Sequence, residues 1–208
     1  MNMELSKNFC LHADYRSKTD IFFQDTKEKT DEYQDKVYEL FRKVINECGI
    51  EEPNIADIGA GSGYKLEKWF PEFIGERITG YDLAPTVKIL KERYPNKTWV
   101  VSDFDSSPKK VDLVICADVI EHVLNPDELM QFILKMDPEH LVISTPDRDL
   151  LVQLLQRDNN GPSKNPYHVR EWSFAEFAEY VTQFFDIVEH VNDPSEYNQY
   201  IHCKRKEL

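Results

Sequence analysis

The chain has 208 residues, enough for one α/β domain with a sizeable core, and a formal net charge of −13 from 38 acidic and 25 basic side chains. That balance disfavours the broad basic face of a nucleic-acid binder: basic clusters are short, as at Lys109-Lys110 and Lys204-Arg205-Lys206, and an anionic membrane surface is disfavoured for the same reason. No apolar run approaches the ~18 residues of a membrane span, Met1–Lys7 lacks the apolar stretch of a secretory signal, and the scattered Cys10, Cys48, Cys116 and Cys203 form neither a zinc framework nor a disulfide scaffold, so a reduced, cytoplasmic protein is expected.

Residues 1–30 are polar and mixed, and form a separate segment ahead of a domain at 31–208. Tyr15, Arg16, Phe22 and Phe23 make that segment a candidate lid. From Asp31 to Cys48, apolar residues recur at three- and four-residue steps and Gly49 follows, which predicts a helix and its stop. Strand and helix signals then alternate. Strands are expected at Asn54–Ile58, Ile78–Asp82, Thr98–Ser102, Val111–Cys116 and His140–Ser144. Between them lie helices ending near Trp69, spanning Pro85–Tyr94, and opening at Asn125-Pro126-Asp127-Glu128 with an Asn cap, a first-turn Pro and first-turn acids.

A further helix is expected over Asp147–Gln156, then a polar loop over 157–170. Ser173-Phe174-Ala175-Glu176 is a capping box that starts a helix to about Thr182. Phe184–His190 and Tyr197–Cys203 read as a terminal antiparallel strand pair. Such alternation predicts a doubly wound, mainly parallel sheet of seven strands with helices on both faces. Ligands in these sheets bind beyond the carboxyl ends of the strands.

Chemistry concentrates at those ends. Asp57-Ile58-Gly59-Ala60-Gly61-Ser62-Gly63-Tyr64 follows a strand and opens a helix, so its glycines allow a tight turn and close approach of a ligand to the backbone. A dinucleotide fingerprint needs a small residue at position 64, and Tyr64 stands there instead. Asp82, followed by Leu83, ends the second strand where a carboxylate accepts hydrogen bonds from ribose hydroxyls. Asp103 and Phe104 follow the third strand, a carboxylate for an adenine amino group beside an apolar cover for the ring. Asp118 ends the fourth, ahead of Val119-Ile120-Glu121-His122.

The segments DIGAGSG, GYDLA, SDFD and CADVIEHVLNPDEL, in that order over residues 50–145, resemble the motifs of class I S-adenosylmethionine-dependent methyltransferases, in the branch acting on small molecules. The resemblance implies that Asp57, Gly59 and Gly61 line the methionine side of S-adenosylmethionine, that Asp82 takes the ribose, and that Asp103 and Phe104 take the adenine; Asp118, by its place after the fourth strand, would lie beside the sulfonium, and Leu83 is a further cofactor-binding candidate. It sets aside the enzymes that methylate exocyclic base nitrogens or glutamine amides, which carry an Asn/Asp-Pro-Pro-aromatic motif where this chain has Ala117-Asp118-Val119-Ile120.

Methyl transfer from a sulfonium is a direct displacement, so most of the work is positioning, and a base is needed only where the acceptor's proton must leave. His168, in Asn165-Pro166-Tyr167-His168-Val169-Arg170-Glu171-Trp172, and His122 are the candidate bases; Tyr167, Arg170 and Trp172 are candidate acceptor contacts. The run is similar to an H-x-R-E-W segment of some bacterial methyltransferases of sugar or polysaccharide assembly, which ranks those metabolites first as acceptors. Asp118, Glu121 and His122 are metal-ligand types, but carboxylates so close to a strand end read as loop anchors, so no metal is expected. The partner is then a small-molecule acceptor, with no nucleic acid and no membrane, in a monomer or homodimer. Two alternatives remain at this point: a non-catalytic S-adenosylmethionine-binding module, and an NAD(P)-dependent oxidoreductase.

Overall fold

The computed structural model describes residues 32–102, 104–156 and 163–207. Asp103 and the candidate lid residues Tyr15, Arg16, Phe22 and Phe23 lie outside the described residues, as does part of the loop expected over 157–170. Helix α1 (Asp35–Glu47) buries Val37, Tyr38, Leu40, Phe41, Val44 and Ile45, the stripe that its three- and four-residue spacing requires. There follow β1 (Ile55–Ile58), α2 (Tyr64–Trp69), β2 (Gly75–Asp82), α3 (Ala84–Arg93), β3 (Lys97–Val101), β4 (Leu113–Ala117), α4 (Pro126–Met136), β5 (His140–Pro146), α5 (Arg148–Leu155), α6 (Phe174–Thr182), β6 (Phe185–Asp193) and β7 (Asn198–Arg205).

The seven strands lie in the order β3-β2-β1-β4-β5-β7-β6. β1 pairs in parallel with β2 and β4, β2 with β3, and β4 with β5; β7 runs antiparallel to both β5 and β6. All five residues of β4 are buried, as a central strand covered on both faces must be. Alternate residues feed two cores. Val114 and Cys116 face the cluster built with Leu129, Met130, Phe132 and Ile133 of α4, while Leu113, Ile115 and Ala117 face the cluster built with α1.

The helix signals correspond to real caps. Asn125 accepts the Asp127 N–H, Asp147 accepts those of Asp149 and Leu150, and Ser173 with Glu176 forms the reciprocal capping box. β2 starts at Gly75, three residues before the expected Ile78, and its pairing with β3 shifts between Gly75 and Thr79. Those first residues are polar and exposed, so they carry no alternation to read. The chain leaves β3 and returns on the other side of β1 as β4. That reversal between β1 and β4 is the switch point where doubly wound sheets open a crevice. No helix among the described residues is long and apolar enough to cross a membrane.

Candidate active site

The glycine turn sits at the tip of β1. Gly59, Gly61 and Gly63 all have positive φ, at 75°, 53° and 72°. Gly59 has a second constraint: a Cβ there would lie 2.3 Å from Cγ2 of Val119, in the turn after β4. The Gly59 and Ala60 N–H groups donate to the Tyr81 carbonyl, at 2.8 and 3.3 Å, and tie the turn to β2. Asp82 is held in place by the same turn. Its Oδ2 accepts the Gly61 N–H at 2.8 Å and its Oδ1 the Leu83 N–H at 2.7 Å. The two backbone amides fix the direction in which this carboxylate faces at the strand tip.

Asp57 is 1% exposed. Its Oδ2 accepts the Tyr38 hydroxyl at 2.9 Å, while its Oδ1 is buried without a hydrogen-bond partner among the described residues. Burial drives its pKa up to about 7; the Tyr38 bond pulls downward and the Asp82 charge adds to the rise. Phe104, after β3, is held at φ 73° with its ring 5.5 Å from that of Phe132. A bulky residue with positive φ is a conformational outlier, and such strain concentrates at ligand sites.

Asp118, at the tip of β4 with φ 54°, is the hub of the crevice. Its Oδ1 accepts the Ser144 hydroxyl at 2.6 Å and the Asn198 amide at 2.9 Å. Its Oδ2 accepts the Tyr33 hydroxyl at 2.8 Å and the Gln34 amide at 2.9 Å. Four donors from β5, β7 and the lead-in to α1 thus converge on one carboxylate.

The turn Ile120–His122 comes next, and the 163–170 segment is laced onto it. The Glu121 carbonyl accepts the Val169 N–H at 2.7 Å, and the Tyr167 carbonyl lies 2.8 Å from His122 Nδ1. The His122 and His168 rings meet edge to face at 4.9 Å between centroids. The structure therefore brings both candidate bases together, 46 residues apart in the sequence. His168 is 9% exposed, with Nδ1 3.0 Å from Glu171 Oε1 and Nε2 2.9 Å from Asn165 Nδ2. Trp172 is built into the core against Phe177 and Tyr180, with the Arg170 guanidinium 5.4 Å over its ring.

A model of the methyltransferase domain matches residues 30–192. The chain belongs to the class I S-adenosylmethionine-dependent methyltransferases. Among solved structures, the S-adenosylmethionine-dependent methyltransferase of Clostridium acetobutylicum ATCC 824 is similar at 12% identity and a TM-score of 0.65, over 87% of this chain and 96% of that one. The N-methyltransferase NodS of Bradyrhizobium japonicum WM9, solved with S-adenosyl-L-homocysteine, is similar at 18% identity and a TM-score of 0.60, over 86% and 91%. The small RNA methyltransferase HEN1 is similar at 20% identity and a TM-score of 0.62, over 90% of this chain and 27% of that one. No curated protein matches the chain. At these identities the neighbours share the fold and leave the acceptor open.

Several residues of this methyltransferase's crevice carried no sequence signal. Tyr33, Gln34 and Tyr38 precede or open α1, where periodicity reports only which face is buried. Asn198 comes from β7, 80 residues from Asp118. Ser144 could have been found, because it pairs with Ala117, the last residue of β4, on the neighbouring strand β5.

Proposed function

We propose that this methyltransferase transfers a methyl group to an oxygen or nitrogen atom of a small polar acceptor, with sugars, nucleotide-linked sugars and polysaccharide-assembly metabolites ranked first. The observation that carries this reading is the juxtaposition, at one end of the sheet, of a glycine turn and strand-tip carboxylates with a histidine pair. The cradle fits S-adenosylmethionine at Asp57, whose partnerless buried Oδ1 calls for a cationic or hydrogen-bonding group such as an amino acid's ammonium. Asp57, Gly59, Gly61 and Asp118 would hold the methionine portion, Asp82 and Leu83 the ribose, and Asp103 and Phe104 the adenine. Bound there, the cofactor supplies an electrophilic methyl group on a positively charged sulfur.

The protein's own residues orient the acceptor and manage its proton. Tyr167 and Arg170, backed by the buried Trp172, form the acceptor side. His122 and His168 stand where a hydroxyl or ammonium proton must leave. His122 Nδ1 faces a carbonyl, which only accepts, so that nitrogen carries a ring proton, and Nε2 is turned toward the Glu121 carboxylate 3.5 Å away. The net charge of −13 supports a small acceptor over a polynucleotide.

Thermal shift followed by turnover tests the reading. S-adenosylmethionine and S-adenosylhomocysteine should raise the melting temperature, and NADH and NADPH should not. A pool of sugar and nucleotide-sugar acceptors should release S-adenosylhomocysteine. His168→Ala should retain cofactor affinity and lower the rate by about 10²-fold or more. Tight cofactor binding without turnover on any pool would favour a non-catalytic module, and stabilisation by NADH alone would overturn the cofactor assignment.

A further inference from the structure

Glu121, His122 and His168 each contribute a donor atom to one cluster, and those atoms all lie within 4.8 Å of one another. Glu121 is 1% exposed and His168 9%. His122 Nε2 is 3.5 Å from Glu121 Oε1, and Glu121 Oε2 accepts the Thr145 hydroxyl at 3.2 Å.

The hydrogen bonds around the two rings orient them. His122 Nδ1 donates to the Tyr167 carbonyl at 2.8 Å. His168 Nδ1 faces Glu171 Oε1 at 3.0 Å, a carboxylate oxygen that also accepts the Ser163 hydroxyl at 2.6 Å, so this nitrogen donates too. Asn165 Oδ1 accepts the Tyr167 N–H at 3.0 Å, which makes its other end the amide donor, 2.9 Å from His168 Nε2. Both rings thus turn Nδ1 to an acceptor outside the cluster and keep Nε2 as the nitrogen placed to ligate. Metal-ligating histidines are prepared in this way: the remaining ring N–H is donated to a backbone carbonyl or a carboxylate, which sets the tautomer and raises the basicity of the ligand nitrogen.

We propose that Glu121, His122 and His168 bind a divalent first-row transition-metal ion, contrary to the expectation from sequence. Two imidazole nitrogens and one carboxylate oxygen suit zinc and its neighbours better than magnesium or calcium, which prefer all-oxygen shells. Bonds of ~2.0–2.2 Å would bring tetrahedral donor atoms to about 3.4 Å from one another. The His122–Glu121 gap already has that value, and the wider gaps close by small side-chain rotations once the Asn165 amide releases His168 Nε2. Three protein ligands leave at least one position open for water or an acceptor atom.

That the ion binds is independent of the methyl-transfer reading; what it does rests on that reading. An acceptor hydroxyl bound at the open position has its pKa lowered and gives its proton to solvent. Its oxygen then forms the bond to the methyl carbon as the carbon–sulfur bond breaks and the electron pair passes to sulfur. With the ion bound, the imidazoles serve as ligands, which replaces the proton-accepting role given to them above.

The test is a cobalt(II) titration of the chelator-stripped full chain, followed by visible absorption, with zinc competition. One equivalent should bind saturably, and zinc should displace it. His122→Ala and His168→Ala should each weaken binding at least 100-fold, and Glu171→Gln about 10–100-fold, by loosening His168 without removing a ligand. Circular dichroism and S-adenosylhomocysteine affinity on the same samples report folding. Absence of saturable cobalt binding, or binding that persists unchanged in both histidine variants, overturns the metal site. If S-adenosylhomocysteine still binds in that case, the methyl-transfer reading survives. If cobalt binds and S-adenosylhomocysteine does not, the metal site stands and that reading fails.

Discussion

The two halves of the crevice are built differently. The half at the tips of β1 and β2 is made mostly of backbone and short-range geometry: left-handed glycines, amides donating to Asp82, and one buried carboxylate. The half at the tip of β4 is made of side chains from distant parts of the chain. Asp118 alone gathers Tyr33, Gln34, Ser144 and Asn198, and the histidine pair depends on two loops laced together. On the function proposed above, the backbone cradle takes the invariant cofactor, and the histidine side of the side-chain network, beyond Asp118, is where the acceptor would be met.

Three substitutions test that contrast. The largest expected effect is at Asp57. Its pKa is about 7 in the folded chain, against about 3.9 unfolded. Between those values the unfolded state releases the proton first, so this group costs the native state stability as pH rises from about 4 to 7 and in full above 7. His202 slopes the other way. Burial, with the neighbouring His140 and Lys204, pushes it down to about 4, so it costs stability as pH falls below its ordinary range. The informative quantity is therefore the difference between wild type and Asp57→Asn in denaturant melts. The variant should gain on wild type by roughly 3–5 kcal/mol between pH 4 and 8. A difference independent of pH would mean that Asp57 is ionised at its ordinary pKa.

Next comes Gly59→Ala, where a left-handed φ combines with the 2.3 Å approach to Val119. It should cost about 2–4 kcal/mol in denaturant melts and abolish S-adenosylhomocysteine binding. The β4 half should respond more mildly. Ser144→Ala removes one of four donors to Asp118, at the methionine end of the proposed cofactor site, and should cost about 1 kcal/mol, with cofactor affinity lowered only a few-fold because three donors remain, and turnover reduced. If Ser144→Ala removed cofactor binding as completely as Gly59→Ala, the two halves would not be separable.

The same contrast explains what the sequence discloses. The alternation of elements, the caps at Asn125, Asp147 and Ser173, and the glycine turn are all set within a few residues, so periodicity and local hydrogen bonding announce them. The resemblance of DIGAGSG and GYDLA to family motifs rests on the same short-range constraints. His122 and His168 were legible as chemistry but not as neighbours, because only the packing of the 163–170 segment on the turn after β4 joins them. Tyr38 beneath Asp57 and Asn198 beside Asp118 were not legible at all. In an amphipathic helix and an alternating strand each has an ordinary structural place, and the sequence does not show which carboxylate it will meet.

The central claim is that the strand tips beside the glycine turn hold the cofactor, with Asp82 on its ribose. Calorimetric titration of S-adenosylhomocysteine into wild type and Asp82→Ala tests it most directly. The account predicts saturable one-to-one binding by wild type and about 10–100-fold weaker binding by the variant, the loss expected for hydrogen bonds to a charged group. Equal affinities would contradict it.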